Sequence, residues 1–204
     1  MKRNILKGLF IIPFVALSLT ACSKEVKQGT VEPSKTKNEE QTTTAKVVKE
    51  NGMTKTPIFT NENLNLTGES GGVKYNYKSV QISEVKIESD EVANVFDTEK
   101  NSTVVAVAFD TEFENTNDKD ISFYPNQAEM ITNTKQQVEP NMALSDDVGG
   151  DYLGKVKKEG TIVYILKNTK AQDLKTLELR IDAPVDASTY DKLGNDIKLN
   201  LDVK

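Results

Sequence analysis

The densest run of groups able to do chemistry is Ser145-Asp146-Asp147-Val148-Gly149-Gly150-Asp151-Tyr152. Three carboxylates beside glycines that expose their carbonyls form the hard-oxygen donor set that calcium takes. The spacing departs from an EF-hand loop, which alternates its acids and closes on a glutamate. The segment therefore reads as a solvated acidic loop whose glycines make the turns, with no metal ligand set and no cofactor assigned. Tyr75, Tyr77, Phe123, Tyr124 and Tyr152 are the aromatic counterpart. They suit a sugar-stacking platform, but their alternating spacing is also that of sandwich core and edge packing, which is the reading adopted. Histidine is absent from all 204 residues, which removes the Ser-His-Asp triad, the imidazole base and the ordinary zinc site. Paired carboxylates carry no information in an acidic chain, because any such chain offers pairs at glycosidase spacing. The expectation is a protein that is not an enzyme.

The single cysteine, Cys22, follows Leu19-Thr20-Ala21. Ahead of it stand Met1-Lys2-Arg3 and Lys7, then an apolar run from Leu9 to Leu19 broken by Pro13 and Ser18. That is the charged start and short apolar core of an export signal, and the run is too short for a span, which needs ~20 residues. Leu-Thr-Ala-Cys resembles the lipobox of bacterial lipoproteins. The resemblance implies cleavage after residue 21 and lipid, palmitate included, on Cys22. A diacylglyceryl anchor suffices physically, since two chains hold where one is marginal.

Removing residues 1–21 takes away three positive charges and moves the formal charge from −5 to −8. An acidic mature chain disfavours nucleic acid and basic-patch docking to anionic lipid. One cysteine leaves no disulfide, so the core alone must hold the domain. Residues 22–58 are rich in Lys, Glu, Thr, Gln and Ser, with seven Lys against five Glu and no aromatic residue before Phe59. Such a stretch buries too little to offset its ordering entropy, so it reads as a disordered linker of roughly 30–35 Å typical reach.

The elements that must position the candidate residues begin at about Phe59, where the apolar period becomes two. Val73, Tyr75 and Tyr77 alternate; Val80 and Ile82 follow, and Val85 and Ile87 are offset by one, which implies a bulge or bend near Ser83-Glu84. Val92, Val95 and Phe96 suit one helical turn capping the core, or a loop in its place. Thr103 to Asn115 is the strongest strand, apolar on both faces at its start and acidic on one face at its end. Short strands are expected near 121–123, 128–132 and 136–139, then an irregular stretch, Asn141 to Lys155. Strands near 156–167, 174–181 and 197–203 complete eight to ten short strands with no long helical period. The fold class is an all-β antiparallel sandwich over residues 59–204.

Several of these segments carry a resemblance. Val73-Lys74-Tyr75, the strand ending Glu114-Asn115-Thr116-Asn117, Ala143-Leu144-Ser145-Asp146-Asp147 and Gly160-Thr161-Ile162-Val163-Tyr164 resemble an uncharacterised immunoglobulin-like domain of bacterial lipoproteins. That domain is similar to small secreted mycobacterial antigens, and its members are sometimes mislabelled as telomeric-repeat-binding factors. The resemblance covers most of residues 60–183. It departs at Asn133-Thr134-Lys135-Gln136, where an Asp-Gly turn is usual, and in the longer tail after Pro184. It implies an immunoglobulin-like sandwich and an extracytoplasmic interaction module, and it transfers no activity.

The expectation is therefore a lipoprotein held at the cell membrane of a Gram-positive bacterium, on the extracellular face, that binds an envelope protein or glycan without catalysis. Asn141 to Lys155 is its contact loop, through Ser145, Asp146, Asp147, Asp151 and Tyr152. The alternatives are a calcium-dependent or ligand-sensing surface lipoprotein, or an inhibitor of a secreted hydrolase.

Overall fold

A computed structural model describes residues 47–203. The expected leader, Cys22 and the linker as far as residue 46 lie outside the described residues. Among the described residues thirteen strands follow one another: β1 Val48–Glu50, β2 Met53–Asn61, β3 Leu66–Ser70, β4 Val73–Ile87, β5 Thr103–Asn115, β6 Ile121–Phe123 and β7 Glu129–Thr132. The rest are β8 Gln137–Val138, β9 Gly150–Tyr152, β10 Lys157–Leu166, β11 Thr176–Ile181, β12 Val185–Asp186 and β13 Ile197–Asp202. One helix, α1 Asp90–Val95, lies between β4 and β5, its first turn capped by Ser89, whose Oγ accepts from Val92 N at 3.2 Å.

Every pairing is antiparallel. The largest sheet runs β1-β2-β4-β5-β10, with β3 on β4. Because β5 occupies the other side of β4 throughout, β2 and β3 share its remaining edge, β2 along residues 80–87 and β3 along 73–77. The second layer consists of the sheets β13-β11-β7-β8 and β12-β6-β9. The main core, which draws on all three sheets, includes Val107, Phe109, Phe113, Phe123, Met130, Tyr164 and Leu179. The chain is an all-β sandwich, as the period-two pattern requires.

A second core lies on the other face of the large sheet. Val85 and Ile87 of β4, Val104, Ala106 and Ala108 of β5, and Val163 and Ile165 of β10 are covered there by Val92, Ala93 and Phe96 from α1 and by Leu144. This accounts for a strand apolar on both faces at its start. It also corrects the bulge expected near Ser83-Glu84. Val80 and Ile82 face one core and Val85 and Ile87 the other, so their offset needs no irregularity. β4 pairs with β5 unbroken past Ser83-Glu84; the irregularity there belongs to β2, whose register shifts between Pro57 and Phe59 opposite Ser83 and Ile82. The shift on β4 itself, between Tyr77 and Ser79, keeps Tyr77 and Val80 on the same face.

The sheet also starts earlier than composition indicated. Val48 pairs with Lys55 and Glu50 with Met53, and Met53 is 1% exposed. Residues 48–58, assigned above to the linker and placed ahead of a domain starting at residue 59, form β1 and the first part of β2. Polar Lys and Thr masked the pattern, because Lys55 is itself interior, 3% exposed opposite Val85. Burial brings its ammonium down to about 8. The hairpin at 132–136 forms without an Asp-Gly pair: Lys135 takes φ 65° and its N–H donates to Thr132 O at 3.0 Å.

Two predictions follow from these interiors. Tyr77 is fully buried against Phe109 and Phe113, and its hydroxyl has no partner among the described residues. Tyr164, equally buried, donates to Ala128 O at 3.0 Å. Tyr77→Phe is expected to leave stability unchanged or raise it, and Tyr164→Phe to cost about 1 kcal/mol. Urea denaturation would reverse the assignment if Tyr77→Phe were the costlier change. For Lys55, the unfolded state binds more protons than the folded one between pH about 8 and about 10. Stability should therefore rise by about 2 kcal/mol across that window. It should fall above it as the unfolded tyrosines ionise, since burial raises Tyr77, Tyr152 and Tyr164. Lys55→Met should remove the rise, and a variant that retained it would exclude Lys55 as its source.

Candidate contact surface

The acidic loop is built into the sheet. β10 has β5 on one side only, and the chain from Pro140 to Val148 runs along its other edge. Asn141 N donates to Val163 O at 2.7 Å and Asp146 N to Thr161 O at 2.8 Å. Ser145 Oγ accepts from Val163 N at 2.9 Å, and Asp146 Oδ2 accepts from Thr161 N at 2.8 Å. Two side chains thus satisfy strand donors that would otherwise be open to another chain. The fit is close: a Cβ on Gly160 would meet that of Asp146 at 2.6 Å, which explains a glycine inside a strand.

The rest of the predicted set divides. Asp151 Oδ1 accepts the Ser122 hydroxyl at 2.6 Å. Tyr152 is wholly buried, donates to Val148 O, and carries Lys158 Nζ 4.6 Å from its ring centre. Ser145 is 3% exposed. The expected contact residues Ser145 and Tyr152 are therefore interior, because the loop spends its apolar and hydroxyl groups covering an edge. Only Asp147 and Asp151 of the five are exposed. The carboxylates have separate tasks, and among the described residues no group of three metal-ligating side chains gathers. Of the aromatic set, Tyr77, Phe123 and Tyr152 are core, Tyr75 is half-buried and Tyr124 is exposed, so the five form no common platform.

Two enzyme-like patterns escape a reading by residue type. Gly68-Glu69-Ser70-Gly71-Gly72 fits Gly-x-Ser-x-Gly, but a nucleophile elbow joins a strand to a helix. Here Ser70 ends β3, Gly71-Gly72 turn into β4, and the Ser70 hydroxyl donates to Asn195 O at 2.6 Å. Gly149 to Lys155 spells Gly-x-x-x-x-Gly-Lys, yet Val156 stands in place of the Ser or Thr that holds magnesium. That stretch contains β9 and turns toward β10, burying Tyr152 in its middle, so it offers no phosphate cradle.

What the structure does present is one end of the small sheet β12-β6-β9. Asp120, just before β6, joins two loops: its carbonyl accepts Ala187 N at 3.2 Å and its Oδ1 accepts Gly154 N at 2.9 Å. Those loops carry Tyr190, 75% exposed, and Leu153, 66% exposed. Tyr190 has φ 62°, a left-handed conformation that a bulky residue rarely takes. Its turn is fixed by Asp186, whose O accepts Tyr190 N at 2.8 Å and whose Oδ1 accepts Ser188 N, Ser188 Oγ and Thr189 N. Those donors, the Ser188 hydroxyl first, hold the Asp186 carboxyl below the usual range. The other loop is anchored by fully buried Asn115, whose Nδ2 donates to Gly154 O and Lys119 O, both at 2.8 Å. No sequence signal identified Tyr190: it stands alone in a polar tail, and its backbone conformation is not written in its neighbours.

The loop's structural role has a measurable consequence. Ser145→Ala should cost about 1–3 kcal/mol by leaving Val163 N unsatisfied, while Asp147→Ala should stay within about 0.5 kcal/mol. Equal effects in urea denaturation would contradict the edge-covering role.

No family model matches the chain. Over 96 residues it is 38% identical to the SPbeta prophage-derived uncharacterized lipoprotein YonS of Bacillus subtilis, a match covering 45% of this chain and 46% of that protein. The chain thus spans about half the length of the curated relative it matches. Among solved structures, a functionally unknown protein from Listeria monocytogenes EGD-e aligns with a TM-score of 0.59 at 12% identity, over 74% of this chain and 88% of that one. The yjhA protein from Bacillus subtilis aligns at 0.45 with 15% identity, over 71% and 100%. The first likeness supports the fold; neither carries a function.

Proposed function

We propose that the chain is a lipoprotein of the cell envelope, anchored through lipid on Cys22 at the outer face of a Gram-positive membrane, and that it acts as a non-catalytic binding module. The name of the YonS relative supports the anchor, together with Leu19-Thr20-Ala21-Cys22 and the basic, apolar stretch before it. The observation that carries the binding role is the exposed Tyr190, held in left-handed backbone by the Asp186 turn. A strained, exposed aromatic ring, on a loop tied through Asp120 to one that exposes a leucine, costs stability and pre-organises a contact. The partner is an envelope protein or glycan, met by Tyr190 and by Leu153, which belongs to the expected contact loop Asn141 to Lys155 but not to the residues singled out in it.

Two measurements in cells test this reading. The native chain should incorporate labelled fatty acid and Cys22→Ala should not; label retained on Cys22→Ala would remove the anchor. A photoreactive phenylalanine analogue at Tyr190 should capture a discrete adduct that the same analogue at Lys175 does not. Leu153→Ala should weaken that capture about tenfold, ~1.4 kcal/mol. Identical adduct patterns at Tyr190 and Lys175 would remove the contact site.

A further inference from the structure

We propose that β13 is a pairing edge through which two copies of this chain associate, extending the sheet β13-β11-β7-β8 across a two-fold axis. The inference does not rest on the binding role proposed above. β13 ends its sheet, and no described strand pairs with its outer side. Its register with β11 is unbroken from Thr176 opposite Asp202 to Ile181 opposite Ile197. It contains no proline, and no bulge turns it away; of the devices that blunt natural edges it carries charged side chains, Lys198 and Asp202, of opposite sign. The contrast lies within the same molecule, where the free edge of β10 is closed by Ser145 and Asp146.

The phase of the ladder fixes which groups face outward. Val203 N donates to Lys175 O at 2.9 Å, so Ile197, Leu199, Leu201 and Val203 turn their backbone groups toward β11. By strand alternation, Lys198, Asn200 and Asp202 turn theirs to the open edge, and the side chains of these same three residues are exposed. Antiparallel pairing centred on Asn200 sets Lys198 opposite the partner's Asp202, Asp202 opposite the partner's Lys198, and Asn200 opposite its own copy. Both ion pairs are complementary, as directly opposed residues in a sheet should be. Lys198 Nζ already meets Glu178 Oε2 at 2.7 Å, and an ammonium has further donors for a second carboxylate. On the inner face, half-buried Leu199 meets the partner's Leu201, and Leu201 the partner's Leu199. A register slipped by two residues loses both ion pairs, so the charges select one alignment.

The test uses the full chain in cells. Opposed residues of a hydrogen-bonded antiparallel pair have Cα atoms ~5.5 Å apart, inside the range a disulfide spans. Asn200→Cys should therefore give a disulfide-linked dimer on mild oxidation. The native chain, with Cys22 alone, and Lys192→Cys, exposed and off the strand, should give no more than background. Adding Lys198→Asp makes the edge wholly acidic and adding Asp202→Lys makes it wholly basic, so each should lose the dimer band when expressed alone. Co-expressed, the two become complementary and the band should return. No Asn200→Cys dimer above background, single charge variants that crosslink like their parent, or no recovery on co-expression would each overturn the proposal. So would an adduct of another mass, which would put a foreign strand on this edge.

Discussion

Burial along β5 is the constraint on which the rest of the molecule depends. With one cysteine there is no disulfide within the chain, so two faces of one strand have to organise the interior. Val105, Val107, Phe109 and Phe113 enter the main core, while Val104, Ala106 and Ala108 enter the second. Near Thr103 the sheet is covered on both sides, by the second layer and by α1. Toward Asn115 the outer face opens, and Asp110 and Glu112 meet Lys78 and Lys157 there. Those pairs are largely exposed and screened, worth little each. Their use is to make an uncovered sheet face soluble, while the interior supplies the stability.

A sandwich built this way leaves edges, and the chain treats them differently. β10 is sealed by a loop that supplies two side-chain acceptors at the positions where a neighbouring strand would supply carbonyls. β2 is continued outward by β1, which brings the chain into the sheet at Val48. β13 has neither cover nor irregularity. Sealing takes residues away from contact: the loop richest in carboxylates spends Ser145 and Asp146 on β10 and Asp151 on Ser122, and keeps Met142, Asp147, Asp151 and Leu153 exposed.

That division of labour explains what was legible in the sequence. β5 was readable from end to end, since a run apolar on both faces at its start and alternating toward its end suits a central strand. β6 and β10 followed from short apolar runs between polar breaks, while at α1 a helical turn and a loop both stood open. The misplaced bulge and the late start of the sheet share one cause. Period-two reasoning assumes one buried face, and β4 and β2 run between an inner core and an outer one. Lys55 then looks like solvent-facing polarity although it is interior. Ser145 and Asp146 mislead for a related reason: they are polar because backbone donors need acceptors, a demand that appears only when the distant β10 is placed beside them. Tyr190 had no signal at all, because its significance lies in a backbone angle set by Asp186.

Chemistry at the exterior is consequently set by geometry more than by composition. The Gly-x-Ser-x-Gly and Gly-x-x-x-x-Gly-Lys patterns both occur here as strand-to-strand connections, and each loses its chemical meaning with the helix that should follow it. Asp186, by contrast, matches no motif and yet fixes the one strained aromatic side chain on the surface described. Left-handed backbone at a tyrosine costs of order 1 kcal/mol or more, in a domain whose whole stability is typically only 5–15 kcal/mol. An exposed ring gains nothing from the core in return. The turn that holds Tyr190 is tied through Ala187 and Asp120 to the loop bearing Leu153, so strain and exposed apolar area are joined by one rigid connection. Contact in this protein is accordingly expected where backbone cost and exposure coincide, at the end of the smallest sheet.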